Sequence, residues 1–416
     1  MNLSIAKRRT NNPCIKRTGE KNIIPKMTNE ETKKFIAEHA ADDTAQLLLQ
    51  RHRYPGVDVA FAVQQIEGRR KAQYKLPTLA SNPDFVFPPR LNLEQASSEP
   101  TAEFKAARYA EGATVIDITG GLGIDSIFFA RRAAKVTYIE QNPELFAIAR
   151  QNFDTLGLKN VECFCGDSVE IIERQGLKAD LVYADPVRRD KHNRKMVSLA
   201  DCTPDITALL PALLKAASQV LVKTSPMLDI TLAQRQLGCV AETAVVSVRN
   251  ECKEVLFLCG GEKGQGVVCA DIDAEGRQRV FVPTAEELAS TPPRADRLCR
   301  YLYDPGVSVV KANVCNALAM RMGLAKLHHG NRLLTADVLV DDFPGRVFEV
   351  RGEVRLSAKE VREALPQGKA NVVCRSFPQS ADELRKKLKL SDGGDDFLVA
   401  TTLWNDKKTG IICNKL

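Results

Sequence analysis

The densest chemistry in the chain lies between Val115 and Asp125, in the run Val115-Ile116-Asp117-Ile118-Thr119-Gly120-Gly121-Leu122-Gly123-Ile124-Asp125. Glycines in a turn between a strand and a helix let the backbone approach a ligand and leave helix N-terminal amides facing it. A dinucleotide fingerprint starting at Gly121 needs glycine or alanine at position 126, where Ser126 stands. Three further acids close short β-branched runs: Glu140 after Lys135–Ile139, Asp167 after Val161–Cys165 and Gly166, and Asp185 after Ala179–Ala184. Glu140 falls 17 residues past Gly123. Doubly wound folds place an acid there, because a carboxylate accepts hydrogen bonds from two ribose hydroxyls. Taken singly, each acid is explained as well by helix capping. Four acids at four successive strand ends favour one shared ligand.

Asp185 opens the segment Asp185-Pro186-Val187-Arg188-Arg189, with Lys191, Arg194 and Lys195 close behind. Its carboxylate suits orienting an acceptor or taking its proton. Arg188 and Arg189 suit clamping a phosphate or carboxylate, or else form a solvated basic loop. Lys223-Thr224-Ser225-Pro226 ends the fifth strand as a substrate-side wall or a plain turn. No metal site is expected, since His328 and His329 are adjacent and Cys163 and Cys165 alternate on a strand without a second pair. Those cysteines read as buried small apolar residues. Arg385-Lys386-Lys387 and Lys389 form the wet face of a helix or an RNA contact.

The elements that must hold these residues follow from periodicity. Thr114–Asp117, Lys135–Glu140, Val161–Phe164, Ala179–Tyr183 and Gln219–Val222 are strands alternating with helices, which implies a parallel doubly wound sheet. The helix Pro143–Leu156 has Asn142 as N-cap, Pro143 at its first position and Gly157 past its end. Thr243–Val248 and Glu254–Leu258, separated by the polar stretch Arg249–Lys253, form an antiparallel pair. A parallel sheet ending in such a pair is the strand plan of class I methyltransferases. Upstream, Thr28–Gln95 is mostly helical, opening on the capping-box pattern Thr28-Asn29-Glu30-Glu31. Downstream, Val267–Asp271 and Arg279–Val282 form a hairpin before Pro292-Pro293. Beyond Tyr301 come a helix from Val309 to Met322 and then a strand, helix, strand, helix, strand, strand series.

The glycine-rich run resembles the first motif of class I S-adenosylmethionine-dependent methyltransferases, Asp/Glu-x-Gly-x-Gly-x-Gly, with Asp117, Gly121 and Gly123 in place and Thr119 replacing the first glycine. The resemblance implies cofactor binding by Asp117, Thr119, Gly120, Gly121, Gly123, Asp125, Glu140, Asp167 and Asp185, with Asp167 meeting the adenine amine. Glu94–Lys105 is similar to the segment that precedes this motif in RNA guanine-amine methyltransferases of the trimethylguanosine-synthase type, where it lies over the methionine end of the cofactor. Exocyclic-amine methylating enzymes carry Asn/Asp-Pro-Pro-aromatic after the fourth strand, whereas Val187 and Arg188 stand here in place of the second proline and the aromatic. As a whole the chain resembles a bacterial class I methyltransferase family with a C-terminal THUMP-like domain, in which Tyr301–Gly306 and Asp341–Arg346 take part. THUMP domains bind RNA, so the resemblance points to an RNA substrate.

Composition agrees with this reading. The chain has 416 residues, 44% hydrophobic and 27% charged, with no apolar run long enough for a bilayer. Its twelve cysteines are too sparse for a disulfide scaffold, and a reducing cytoplasm is the expected location. The net charge of +7 sits mostly in residues 1–26, where seven basic residues face Glu20. The expectation is therefore an α/β protein: a basic disordered tail (1–26), a helical N-terminal domain (27–95), a doubly wound, mostly parallel seven-stranded methyltransferase sheet (96–262), a hairpin and linker (263–300), and a small THUMP-like α+β domain (301–416). Asp185, Arg188 and Arg189 are its candidate catalytic residues, S-adenosylmethionine its cofactor and RNA its partner, with a base nitrogen as acceptor. Two alternatives are methylation of a small acidic molecule or protein, and binding of S-adenosylmethionine or RNA without catalysis.

Overall fold

The computed structural model describes residues 29–88, 90–188, 198–261 and 266–416. The tail 1–26 and Arg189, Lys191, Arg194 and Lys195 lie outside the described residues. The chain forms two compact units. The first runs through Thr224 and adds Thr231–Cys239 and Phe257–Gly261; the second holds Ser225–Ile230, Val240–Leu256 and the chain from Glu262 to Leu416.

The first unit begins with helices Glu30–Glu38, Thr44–Leu49, Val59–Lys75, Pro77–Ala80, Arg90–Gln95 and Glu99–Tyr109. The opening cap is Asn29 and not the Thr28 that the capping-box pattern suggests. Its side chain accepts from the Glu31 and Thr32 amides at 2.9 and 3.2 Å. Phe35, Leu47, Val59, Ala62, Val63 and Ile66 share one apolar cluster across three of these helices, with the last four at helical spacing along Val59–Lys75. Asn152, fully buried on a later helix, clasps the extended segment before residue 90: it accepts from the Val86 amide at 2.8 Å and donates to the Val86 carbonyl at 2.9 Å.

The strands are β1 (Thr114–Asp117), β2 (Lys135–Glu140), β3 (Val161–Cys165), β4 (Ala179–Ala184), the short β5 (Val187–Arg188) and β6 (Cys202–Thr203), β7 (Ala217–Thr224), β8 (Val240–Val248) and β9 (Glu251–Cys259). In the first unit the order is β3-β2-β1-β4-β7-β9, with only the last residues of β9 belonging there. Pairs β1–β2, β1–β4, β2–β3 and β4–β7 are parallel. Helices Ile124–Ala130, Pro143–Thr155, Ser168–Gln175 and Ile206–Ala216 connect them, the second capped by Asn142 and followed by Gly157 at φ 68°. β1 is the reversal point, paired to β2 on one side and β4 on the other, so the crevice past its C-terminal end is the natural ligand site of the sheet.

In the second unit, β8 and β9 meet at a two-residue turn, Arg249-Asn250, with φ of 52° and 60°. That geometry is the tight hairpin turn that matches strand twist, so Glu251, Cys252 and Lys253 join the strand where sequence suggested a longer loop. β8 is followed in space by β10 (Gly266–Ile272), parallel to it, and β11 (Gln278–Phe281), antiparallel to β10. A helix, Ala285–Ala289, stands where sequence suggested only linker.

A second sheet holds β12 (Tyr301–Pro305), β13 (Ala325–Lys326), β14 (Leu334–Ala336), β15 (Gly345–Val354), β16 (Asn371–Cys374), β17 (Asp396–Thr402) and β18 (Lys408–Lys415), in the order β13-β14-β12-β15-β18-β17-β16. The single helix expected from Val309 to Met322 is two, Val307–Lys311 and Cys315–Met322, because Asn313 between them takes φ 59°. The fold is thus α/β, with a mostly parallel methyltransferase-type sheet, helices before it and a small sheet domain after it.

Replacing Asn152 with Ala strands two buried backbone groups of Val86. The full chain should lose roughly 2–4 kcal/mol in urea denaturation. A loss under about 0.5 kcal/mol, the range of ordinary surface changes, would refute the clasp.

Candidate functional site

β1 ends at Asp117, which is 1% exposed and whose two carboxylate oxygens accept from the Thr119 amide at 3.1 Å and the Ser126 hydroxyl at 2.7 Å. The chain then turns through Gly120–Gly123 into helix Ile124–Ala130. Gly120 has no room for a side chain: a Cβ there would stand 2.2 Å from the Tyr138 ring. Tyr138 in turn donates its hydroxyl to the Gly121 carbonyl at 2.6 Å, which fixes the turn to β2. Gly123, at φ 77°, starts the helix in a conformation that other residues adopt at a cost.

Glu140 closes β2 and holds the turn from the other side. Its oxygens accept from the amides of Gly121 and Asn142, each at 2.7 Å. Asp167, past β3, caps helix Ser168–Gln175 by accepting from the Glu170 amide at 3.0 Å, and its second oxygen accepts from Gln141 Nε2 at 3.0 Å. Asp185, past β4, donates its backbone amide to the Thr119 hydroxyl at 2.7 Å. Thr119 therefore does what the first glycine of the motif cannot: it ties the β1 turn to the β4 turn. The Asp185 carboxylate pairs with Lys223 Nζ, a side chain 11% exposed at the end of β7.

Asp125 lies in the first turn of its helix. It accepts from Ser97 Oγ and Tyr183 OH, both at 2.8 Å, and faces Lys105 Nζ at 3.2 Å. Lys105 is completely buried. Burial alone would raise the Asp125 carboxyl, but Lys105, then Lys223, Tyr183 and Ser97 outweigh it and hold the group below the usual carboxylate range. Ser97 and Lys105 belong to the Glu94–Lys105 segment, and Glu99 within it accepts from the Thr78 and Leu79 amides at 2.8 and 3.1 Å, pinning the helix Pro77–Ala80.

These groups surround a cavity of about 540 Å³, a size within the range of small-molecule sites. Asp117, Thr119, Gly120, Gly121, Asp125, Glu140, Asp167 and Asp185 all line it, as do Gln95, Ala96 and Ser97 from the preceding segment. Gly123 stands outside that lining and acts at the helix start. Val187, in β5, lines the cavity beside Thr203 and Pro204, because β5 folds back antiparallel onto β6. Arg188 pairs through its backbone with Cys202. Arg189 lies outside the described residues. Among the described residues no group of three or more His, Cys, Asp or Glu side chains is placed to hold a metal ion, and no helix is long and apolar enough to cross a membrane. Chemically, the cavity offers acceptors for hydroxyl and amine donors together with an ion-paired carboxylate. Sequence singled out Lys223 only as part of a possible wall at the end of the fifth strand, and missed its pairing with Asp185 and the roles of Lys105 and Tyr183 at Asp125. Their types are visible in it, but a lysine at zero exposure is known only once its aspartate partner is in place.

The Asp117 carboxyl is pushed up to about 7, by burial first, with Asp125 and Asp185 adding repulsion against the pull of Ser126 and Thr119. An unfolded carboxyl titrates near 3.8. Protonated Asp117 therefore favours the fold fully below about pH 4, and that contribution is lost as the pH rises to about 7. Urea denaturation of Asp117→Asn and the unaltered chain should show the gap moving in the variant's favour by roughly 3 kcal/mol between pH 4.5 and 7.5. A pH-independent gap would contradict the raised titration.

Comparisons with known proteins agree with this geometry. A family model described as "Conserved hypothetical protein 95" matches residues 102–204, one described as "ferredoxin-like domain" matches 301–344, and one described as "THUMP domain-like" matches 345–415. The crystal structure of a "putative methyltransferase" from Porphyromonas gingivalis W83 is 31% identical and superposes with a TM-score of 0.82, covering 92% of this chain and 97% of that one. Ribosomal RNA small subunit methyltransferase J of Alteromonas mediterranea is 29% identical, over 36% of this chain and 66% of its own length. An uncharacterised RNA methyltransferase of Halalkalibacterium halodurans is 29% identical, over 28% of this chain and 26% of its own. The chain spans less than two thirds of the length of these two curated relatives. The match to the Porphyromonas structure, in contrast, runs nearly end to end in both chains. With the THUMP-like match at its C-terminus, the chain belongs to the family of class I methyltransferases that carry a THUMP-like domain.

Proposed function

We propose that the protein transfers a methyl group from S-adenosylmethionine to a base nitrogen of RNA, in the cytoplasm. The observation that carries this reading is the convergence of Asp117, Glu140, Asp167 and Asp185, from four successive strand ends, on one cavity. The names of the relatives as RNA methyltransferases support the acceptor.

The residues present fit such a donor. Each carboxylate oxygen has two acceptor sites, so Glu140, already held by the Gly121 and Asn142 amides, keeps acceptor capacity for two ribose hydroxyls. In this reading Asp167 and Gln141 meet the adenine amine and the Ala96-Ser97 segment the amino-acid end; all four residues line the cavity. S-adenosylmethionine supplies an electrophilic methyl group, whose bond to sulfur breaks as the bond to nitrogen forms. Asp185 accepts the N–H of the acceptor and takes the proton that the nitrogen must lose, while Lys223, paired with the carboxylate, holds it in place. The backbone amide of Asp185 on Thr119 keeps that carboxylate in register with the donor turn. Arg188 and Arg189 remain assigned to the acceptor side, as guanidiniums that grip its phosphate.

A labelled-methyl assay on fractionated cell RNA, protein and metabolites tests the function. Label should enter RNA and disappear on nuclease treatment; label retained in protein or metabolites would overturn the acceptor. With an accepted RNA, Asp185→Ala should lower kcat roughly 100-fold or more while leaving cofactor affinity little changed. A fully active variant would remove Asp185 from the chemistry. Glu140→Ala should weaken S-adenosylhomocysteine binding by about 1–3 kcal/mol in calorimetry, and unchanged affinity would refute its ribose role.

A further inference from the structure

The motifs Tyr301–Gly306 and Asp341–Arg346 have no part in the cofactor cavity, yet they meet one another. Asp304, at the end of β12, stands opposite Arg346, at the start of β15, in the strand register. Gly345 permits this approach, since a Cβ there would lie 2.4 Å from the Asp304 carbonyl oxygen. Arg346 Nη2 reaches Asp304 Oδ2 at 2.5 Å. Arg375, just past β16, forms a two-pronged pair with the same carboxylate, Nε to Oδ1 and Nη2 to Oδ2, each at 2.9 Å. Arg332, just before β14, brings its Nε to 3.4 Å of Oδ1 without a hydrogen bond. Four separate segments of the second unit thus place three guanidiniums on one carboxylate that is 3% exposed.

Neutralising Asp304 explains only one of these arginines. Arg375 alone engages both oxygens, as a planar fork does for any carboxylate. The other two leave two positive charges uncompensated, for no second acid pairs with Arg332, Arg346 or Arg375 among the described residues. Like charges packed this closely repel. Burial first, and then Arg375, lower the titration of Arg332. Burial would raise Asp304, but Arg375 and Arg346 outweigh it and hold that carboxyl low, so the cluster keeps its one anion. The arginine side chains are 29, 24 and 21% exposed. Each guanidinium has five N–H donors. Asp304 takes two from Arg375, one from Arg346 and none from Arg332, and the Cys374 carbonyl takes one more from Arg375, so most donors are left for a second anion.

The geometry points to a binding site for a phosphate monoester at Arg332, Arg346 and Arg375. A monoester carries nearly two negative charges at neutral pH and three acceptor oxygens, which matches the surplus charge and the forked donors; a phosphodiester carries one. Asp304 is the positioning residue, which aligns the guanidiniums without touching the ligand. The monoester can belong to a free small molecule or to the 5′ end of a nucleic acid.

Calorimetry on the full chain separates these sources and tests the site. The probes are a 5′-phosphorylated uridine dinucleotide, the same dinucleotide with a 5′-hydroxyl, and inorganic phosphate. Uridine avoids adenine binding in the cofactor cavity. The phosphorylated form should bind at least about tenfold tighter, and Arg332→Gln should abolish that preference with an unchanged melting temperature and unchanged S-adenosylhomocysteine affinity. Should Arg332→Gln melt early, Arg332→Lys, which keeps the charge but not the fork, should fold normally and lose most of the preference. Competition by inorganic phosphate supports the monoester group itself as ligand, and preference without competition supports a nucleic-acid end. Equal affinity for both dinucleotides, or a preference that survives at position 332, overturns the proposal. Neither result depends on methyl transfer, so failure of that reading would be seen separately.

Discussion

Five carboxylates crowd the C-terminal edge of one parallel sheet, and everything around the cavity answers their repulsion. Parallel strands bring Asp117, Glu140, Asp167 and Asp185 together because each sits at or just past the end of a strand whose neighbours end at the same level, and Asp125 follows in the first turn of the helix after β1. Unscreened negative charges in a partly buried site disfavour the fold. The protein offsets them in three ways. Lys105 and Lys223 neutralise Asp125 and Asp185. Backbone amides at Gly121, Asn142 and Glu170 satisfy Glu140 and Asp167. Asp117, the most enclosed, keeps its proton to about pH 7. The result is a set of fixed acceptors that do not have to reorganise when a ligand rich in hydroxyl and amine donors enters.

The same interactions link the β1 turn, the β4 turn and the segment before β1. Thr119 receives the Asp185 amide, Tyr183 just before Asp185 donates to Asp125, and Asp125 holds Ser97 and Lys105 of the segment over the cavity. A change at any one of these therefore alters positioning at all three. This is the physical content of the departure at position 119: the threonine hydroxyl supplies a bond that glycine lacks.

Much of this was legible in the sequence. Strand-end acids, the glycine turn and the Asn142 cap depend on local chemistry and spacing, and they fall where spacing puts them. What sequence hid depends on partners far along the chain. Lys105 looks like an ordinary helical lysine until Asp125 is placed against it. Asn152 looks like a solvent-facing residue until Val86 arrives beside it. Thr28 matches the capping pattern, yet Asn29, the better acceptor for two amides at once, takes the role. The break at Asn313 and the tight turn at Arg249-Asn250 require positive φ at non-glycine residues, which periodicity does not report.

The central claim is that the ring of strand-end carboxylates is a donor site for methyl transfer. Titrating the full, unaltered chain with S-adenosylhomocysteine in a calorimeter tests it most directly. The account predicts saturable binding at one site per chain, competed by S-adenosylmethionine and not by a nicotinamide dinucleotide. Absence of binding, or displacement by the dinucleotide, would contradict it.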